Sequence, residues 1–130
     1  MNTNFGFGKA VDGTFDEAVE RVTEELKKEG FGVLTEIDVA ATLKEKLGED
    51  MPPYRILGAC NPPLAHQAVT AVPEIGLLLP CNVLVRQDPA GQVHVSFMDP
   101  GAVLGLVDVP EVEPLAAQVK DKLTKVMANI

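Results

Sequence analysis

The chain has 130 residues, which is the size of one globular domain, and we expect a single domain over residues 1–130. Its 46% hydrophobic content is enough for a conventional core and excludes a disordered tail or linker. Eleven basic against nineteen acidic residues give a net charge of −8, so nucleic acid is an unfavourable partner. Two cysteines are too few for a secreted disulfide scaffold, and no apolar run approaches the length of a membrane span. We therefore expect a cytoplasmic protein with free thiols and no membrane partner.

The first half of the chain predicts strands that alternate with helices. Thr14 and Glu17 form the capping box that begins an amphipathic helix, and Asp38 caps a second, shorter one. The prolines at 52 and 53 forbid a continuation of the second helix. The predicted elements of this half are strands over 5–11, 31–37 and 54–60 and helices over 15–28 and 39–47.

The second half predicts a hairpin followed by a helix. Asn61 with Pro62 is a typical helix start, and the turn over 88–91 joins two strands. The predicted elements are a short helix from Asn61 that stops at Pro73, strands over 77–87 and 93–98, a packed loop over 101–109, and a helix from near Pro110 or Glu113 to the end. The whole order predicts an α+β fold: an antiparallel sheet of about five strands, two long helices on one face (β-α-β(4)-α) and two short inserted helices.

Three segments resemble one family. They are Gly30 to Asp38, the tetrapeptide Ala59-Cys60-Asn61-Pro62, and the run Ile75-Gly-Leu-Leu-Leu-Pro-Cys-Asn-Val-Leu-Val85. Together with the hairpin and the last helix, they resemble the domain of unknown function 302 family over nearly the whole chain. The resemblance implies a small bacterial or archaeal protein with a TATA-binding-protein-like fold and a homodimeric assembly. It implies no established activity, and the fold name implies no DNA binding because the charge is wrong. We expect no cofactor.

The candidate catalytic residues are Cys60, His66 and Cys81. Cys60 ends one predicted strand and Cys81 begins a later one, so their thiols would meet if these strands are antiparallel neighbours. The helix that Asn61 caps would favour the thiolate of Cys60, and His66 would reach it as a base. Against this, free cysteines usually pack as small buried hydrophobes, and no Cys-x-x-Cys occurs. The spacing of the cysteines with His66 and His94 fits no zinc finger, so we expect no metal site.

The candidate ligand-binding residues are Asn61, Asn82, Arg55 and Arg86. Strand alternation puts Cys81, Val83, Val85, Val93, Val95 and Phe97 in the core and leaves the opposite face with Asn82, Leu84, Arg86, His94, Ser96 and Met98. Arg55, Leu57 and Ala59 join that exposed face if their strand has the same parity. Its mixture of Leu, Met and Arg is typical of an interface or a ligand platform, although a simply solvated face is the alternative.

These patterns favour a homodimeric, non-enzymatic module that binds a small molecule or another protein. No complete catalytic constellation occurs in the sequence. The alternative is a thiol-dependent enzyme or redox sensor centred on Cys60, with Cys81 as the resolving thiol.

Overall fold

The structure, a computed structural model, describes residues 2–130. Its strands are β1 (Gly6–Val11), β2 (Gly32–Asp38), β3 (Tyr54–Cys60), β4 (Cys81–Gln87) and β5 (Val93–Met98). Its α-helices are α1 (Phe15–Lys28), α2 (Val39–Leu47), α3 (Pro62–Ala71), α4 (Pro100–Leu104) and α5 (Val112–Ala128), and a 3-10 helix covers Pro73–Leu78. Within residues 2–130, no helix has both the length and the apolar character needed to cross a membrane.

The helices begin where the caps predict. The Thr14 hydroxyl accepts a hydrogen bond from the Glu17 amide, while the Glu17 carboxylate accepts one from the Thr14 amide. Asp38 likewise accepts from the amide of Ala41 and starts α2. Each cap satisfies amide groups that have no partner within the helix. The predicted limits of α1 and α2 are confirmed.

The five strands form one antiparallel sheet in the order β1-β5-β4-β3-β2. The register places Leu57, Val83, Phe97 and Phe7 directly opposite one another, so they share a face. These side chains are buried and belong to one core with residues of α1, α3 and α5. The predicted α+β class, with an antiparallel sheet, is confirmed.

Two segments differ from the prediction. The strand expected over 77–87 begins only at Cys81, because prolines at 73 and 80 bracket a 3-10 helix instead. In that helix Ile75 is buried, whereas Leu77 is 83% exposed. The loop expected over 101–109 contains α4, because Asp99 caps it and Pro100 occupies its first position.

The expectation for the parity of β3 is wrong. Arg55 lies opposite Val85 and Ala59 lies opposite Cys81, so Arg55, Leu57 and Ala59 face the helices. The side chain of Arg55 extends over the Phe15 ring of α1, with its guanidinium carbon 5.2 Å from the ring centre. The opposite face of the sheet, which we call the outer face, instead receives Tyr54, Ile56 and Gly58 from β3. The physical reason is a register that differs by one residue from the one assumed.

Candidate functional site

An apolar cavity of about 300 Å³ opens where β3 ends and β4 begins. Its lining combines the sheet, α3, α4 and α5: Phe31, Leu34, Thr35, Ala59, Cys60, Asn61, Leu64, Ala65, Ala68, Leu79, Pro80, Cys81, Leu104, Leu115 and Val119. Apart from the two thiols, only Thr35 and Asn61 bring polar side chains, and no Asp, Glu, Lys, Arg or His lines it. This is the composition of a site for an apolar ligand.

Small side chains leave the space open. Ala65 and Ala68 lie one turn apart on α3, and Ala59 is at the end of β3, so three methyl groups stand where larger side chains would fill the interior. A bulge in β2 between Val33 and Thr35 turns Leu34 towards the opening, where its side chain is 67% exposed. The cavity therefore has an apolar interior and an exposed apolar rim at Leu34.

Asn61 holds one wall of the cavity in place. Its side-chain oxygen accepts a hydrogen bond from the Leu64 amide at 3.4 Å, which caps α3. Its amide nitrogen donates to the carbonyl oxygen of Glu29 at 3.3 Å, just beyond α1. Among residues 2–130, Asn61 is the one buried polar residue, and both ends of its amide are used within the chain. The structure thus places this predicted ligand-binding residue in the cavity wall, where it joins two helices.

Both cysteines are free thiols and both line the cavity. Cys81 is buried, and burial, with a smaller contribution from Cys60, raises the pKa of its thiol to about 11. Cys60 is half-buried. The residue opposite Cys81 is Ala59, so Cys60 is displaced by one position along the pairing. That the two thiols meet closely enough for Cys81 to act as the resolving thiol stays a prediction.

The remaining candidate residues lie elsewhere. His66 is exposed and lines a separate depression with Glu111 and Gln118, so the structure brings together Cys60 and Cys81 but leaves His66 outside their cavity. The imidazole of His94 contacts the carboxylate of Asp88 at 2.9 Å. Among residues 2–130, no three His, Cys, Asp or Glu side chains come together as a metal site.

The arginine and asparagine candidates are split between the two faces of the sheet. Asn82 and Arg86 lie on the outer face, where Arg86 is opposite His94. Arg55 lies on the helical side and forms ion pairs with Glu36 at 3.1 Å and Asp38 at 3.5 Å. No single pocket therefore collects the four predicted ligand-binding residues.

Ala65 and Ala68 were not identified from the sequence as residues that line a cavity, although their spacing was a signal for it. Ala65 and Ala68 follow a helix start at the spacing that places them on one side of the helix. A stripe of small residues on a helix that faces the core marks a place where packing is incomplete.

The family of the chain follows from a match over nearly all of its residues. The model of the family described as "Domain of unknown function DUF302" matches residues 7–130. The chain belongs to the DUF302 family. A crystal structure of a DUF302 protein from Bacillus stearothermophilus has 32% sequence identity and a TM-score of 0.89, and the match covers 96% of this chain and 97% of that one. The predicted membership of DUF302 is confirmed, and the five-stranded fold described above is the fold of that relative.

Part of this DUF302 chain is also similar to larger proteins. Fluoride-specific ion channel FluC 1 of Brucella suis biovar 1 and FluC 1 of Brucella abortus biovar 1 are each 33% identical over 84 residues, which cover 65% of this chain. The matched segment covers 33% and 31% of those proteins, respectively. The chain thus matches about a third of the length of these curated relatives.

Proposed function

We propose that this DUF302 protein is a non-enzymatic module that binds a small, uncharged, largely apolar molecule in the cavity beside Cys60. The observation that supports this is the lining of the cavity, which is apolar except for two thiols, Thr35 and an Asn61 side chain already hydrogen-bonded within the chain. A charged ligand group would lose its hydration there without gaining an ionic partner, and that loss is expensive.

The volume of the cavity limits the size of the ligand. About 300 Å³ holds roughly ten heavy atoms, if each takes about the 30 Å³ that a water molecule occupies in the liquid. An alkyl chain of eight or nine carbons with one neutral polar end fits this limit. The exposed Leu34 at the rim would contact the part of the ligand that remains outside.

The alternative hypothesis is a thiol-dependent enzyme or redox sensor centred on Cys60, and two observations weigh against it. The pKa of about 11 leaves very little thiolate at Cys81 near neutral pH, so Cys81 is a poor nucleophile or resolving thiol. His66, the base expected for Cys60, lies in a different depression. If the cavity binds a ligand, the two sulfur atoms serve as polarisable apolar groups of its lining, as free cysteines commonly do in protein cores.

The similarity to the Brucella proteins is compatible with a binding module, but it does not make fluoride the ligand of this chain. The names of these proteins concern fluoride, but a small hydrated anion needs several polar donors, and the cavity provides none that is free of a partner except the thiols and Thr35. A ligand-binding module that forms a third of a larger protein agrees with our proposal, whereas the channel activity stays with the relatives.

We also propose that the protein is a homodimer in the cytoplasm. Two free cysteines are usual in a reducing compartment, which supports this location. The outer face of the sheet, which carries no acidic residue, supports self-association.

A series of straight-chain primary alcohols tests the proposed ligand class. Each added methylene should strengthen binding about fourfold, since its burial contributes about 0.8 kcal/mol. The gain should stop near nine carbons, when the cavity is full. Isothermal titration calorimetry measures both effects. An absence of saturable binding from hexan-1-ol to dodecan-1-ol would overturn the proposal.

A matched pair of variants locates the binding. Ala65→Leu fills the cavity from α3 and should abolish binding of octan-1-ol, whereas Ala71→Leu, on the exposed end of the same helix and outside the cavity lining, should leave it unchanged. Equal affinities of the two variants would place the ligand elsewhere.

A further inference from the structure

Three rows of side chains cross the outer face, because residues paired across antiparallel strands point to the same side of a sheet. The first row is Ala10, His94, Arg86 and Tyr54. The central row is Gly8, Ser96, Leu84, Ile56 and Ile37. The third row is Gly6, Met98, Asn82, Gly58 and Thr35. Since β4 is the middle strand, Leu84 lies at the centre of the face, with Asn82 and Arg86 on either side of it.

The outer face carries no acidic residue, although the chain has nineteen and a net charge of −8. Its charged side chains are Arg86 and, when protonated, His94, both in the first row. Asp88, beyond the end of β4, is already hydrogen-bonded to His94. Two copies of so acidic a chain repel each other over most of their surfaces. The outer face itself adds no acidic side chain to that repulsion.

The face is large enough for a reversible dimer. Five strands about 4.8 Å apart and three rows about 6.7 Å apart give an area of roughly 24 by 20 Å. Two copies would bury about 1,000 Å² in total, at the lower limit of specific interfaces. A shallow groove of about 370 Å³, lined by Leu84, Met98 and the exposed Phe5 among others, offers apolar contact beside the centre.

We propose that two copies of this chain pack through their outer faces, with the two-fold axis running along the central row. This rests on the homodimer proposed above and names its interface. With that axis, β4 faces β4 of the second copy in the reverse direction, so the first row of one copy lies over the third row of the other. Arg86 is then kept apart from its symmetry mate and lies over Asn82 of the second copy. In this arrangement the two sheets pack face to face at the usual distance of about 10 Å.

Two glutamate substitutions on β4 test the interface with opposite signs. Leu84→Glu puts two carboxylates near the axis, facing each other, and should raise the dimer Kd at least tenfold. Asn82→Glu puts a carboxylate opposite Arg86 of the second copy and should lower the Kd about two- to fivefold, as expected for a partly exposed ion pair. Sedimentation velocity over a range of micromolar concentrations measures both.

The controls distinguish an error in the proposed interface from misfolding of a variant and from the absence of a homodimer. Val69→Glu adds the same charge on α3, on the helical side of the sheet, and should leave the Kd within twofold of the wild type. Asn82 is exposed, so its variant tests the interface even if Leu84→Glu fails to fold. A wild type that is monomeric at 100 µM overturns both the homodimer and this interface. A dimer that Leu84→Glu leaves intact overturns the interface alone, and a weaker dimer with Asn82→Glu overturns the direction of packing.

Discussion

Replacing Phe97 with alanine tests which face of the sheet forms the core. Phe97 is 1% exposed, lies opposite both Phe7 and Val83, and stacks on the Phe7 ring with 5.5 Å between ring centres. Its neighbours on either side belong to different strands, so they cannot collapse into the space it leaves without moving the backbone. A Phe-to-Ala change in such a place costs about 3–5 kcal/mol through lost burial and the resulting cavity.

That loss converts into a large shift of the thermal midpoint. For 130 residues the entropy of unfolding is about 0.27 kcal/mol/K, so a loss of about 4 kcal/mol lowers the midpoint by roughly 15 °C. Differential scanning calorimetry of the wild type and Phe97→Ala measures it. Leu47→Ala is the control, because Leu47 ends α2, lies outside the proposed interface and is 67% exposed, and it should stay within about 0.5 kcal/mol of the wild type. Similar midpoints for the two variants would show that the faces of β5 are assigned the wrong way round.

Two further predictions concern titratable groups. At pH 8 the Cys60 thiol should react with 5,5′-dithiobis(2-nitrobenzoate) faster than Cys81, whose pKa of about 11 leaves about one thiolate in a thousand; a Cys60→Ser variant that keeps a fast thiol would contradict this. Asp99 accepts a hydrogen bond from Lys120 at 2.6 Å, which lowers the pKa of the Asp99 carboxyl. The contribution of this carboxylate to stability is therefore complete above its unfolded-state pKa near 3.8 and disappears as the pH falls through the lower folded-state pKa. Urea unfolding of Asp99→Asn, which keeps a capping oxygen, should therefore differ from the wild type at pH 6 and converge with it towards pH 2; a constant difference would refute the assignment.

Those parts of the fold that depend on local signals could be predicted from the sequence. A capping box, an Asp cap and an Asn-Pro start fix where α1, α2 and α3 begin, because each satisfies amides that the helix itself cannot. The predicted strand over 54–60 is likewise confirmed, since prolines precede it and a helix cap follows it. The apolar run from Leu77 to Pro80 carries no such signal, and a short apolar run fits a strand, a turn or a helix equally well.

The parity of β3 shows a different limit. Either Arg55 or Ile56 is compatible with a buried face by composition, and only pairing with β4 decides between them. Arg55 is accepted on the helical side because Glu36, Asp38 and the Phe15 ring surround its guanidinium group, and these come from other elements. Such tertiary compensation leaves no periodic trace in the sequence.

One part of the candidate site, the approach of the two cysteines, could be predicted from the sequence, but the cavity could not. That Cys60 and Cys81 would approach each other follows from two antiparallel neighbours, one ending where the other begins. The cavity between them was not foreseen, because it is defined by side chains that are too small to fill it. Such a cavity can be recognised only once α3, α5 and the sheet are packed together in the structure.

The two edges of the sheet determine whether the protein remains a discrete particle. At β1 the Thr3 amide donates to the Gly6 carbonyl and the Asn2 side chain accepts from the Gly8 amide, so the start of the chain occupies hydrogen-bonding groups that a foreign strand would need. At β2 the bulge at Leu34 bends the edge, and Glu36 and Asp38 add charge along it. An open edge is a template on which strands add without limit and grow into fibres. Because both edges are obstructed, the addition of further strands in the plane of the sheet is blocked.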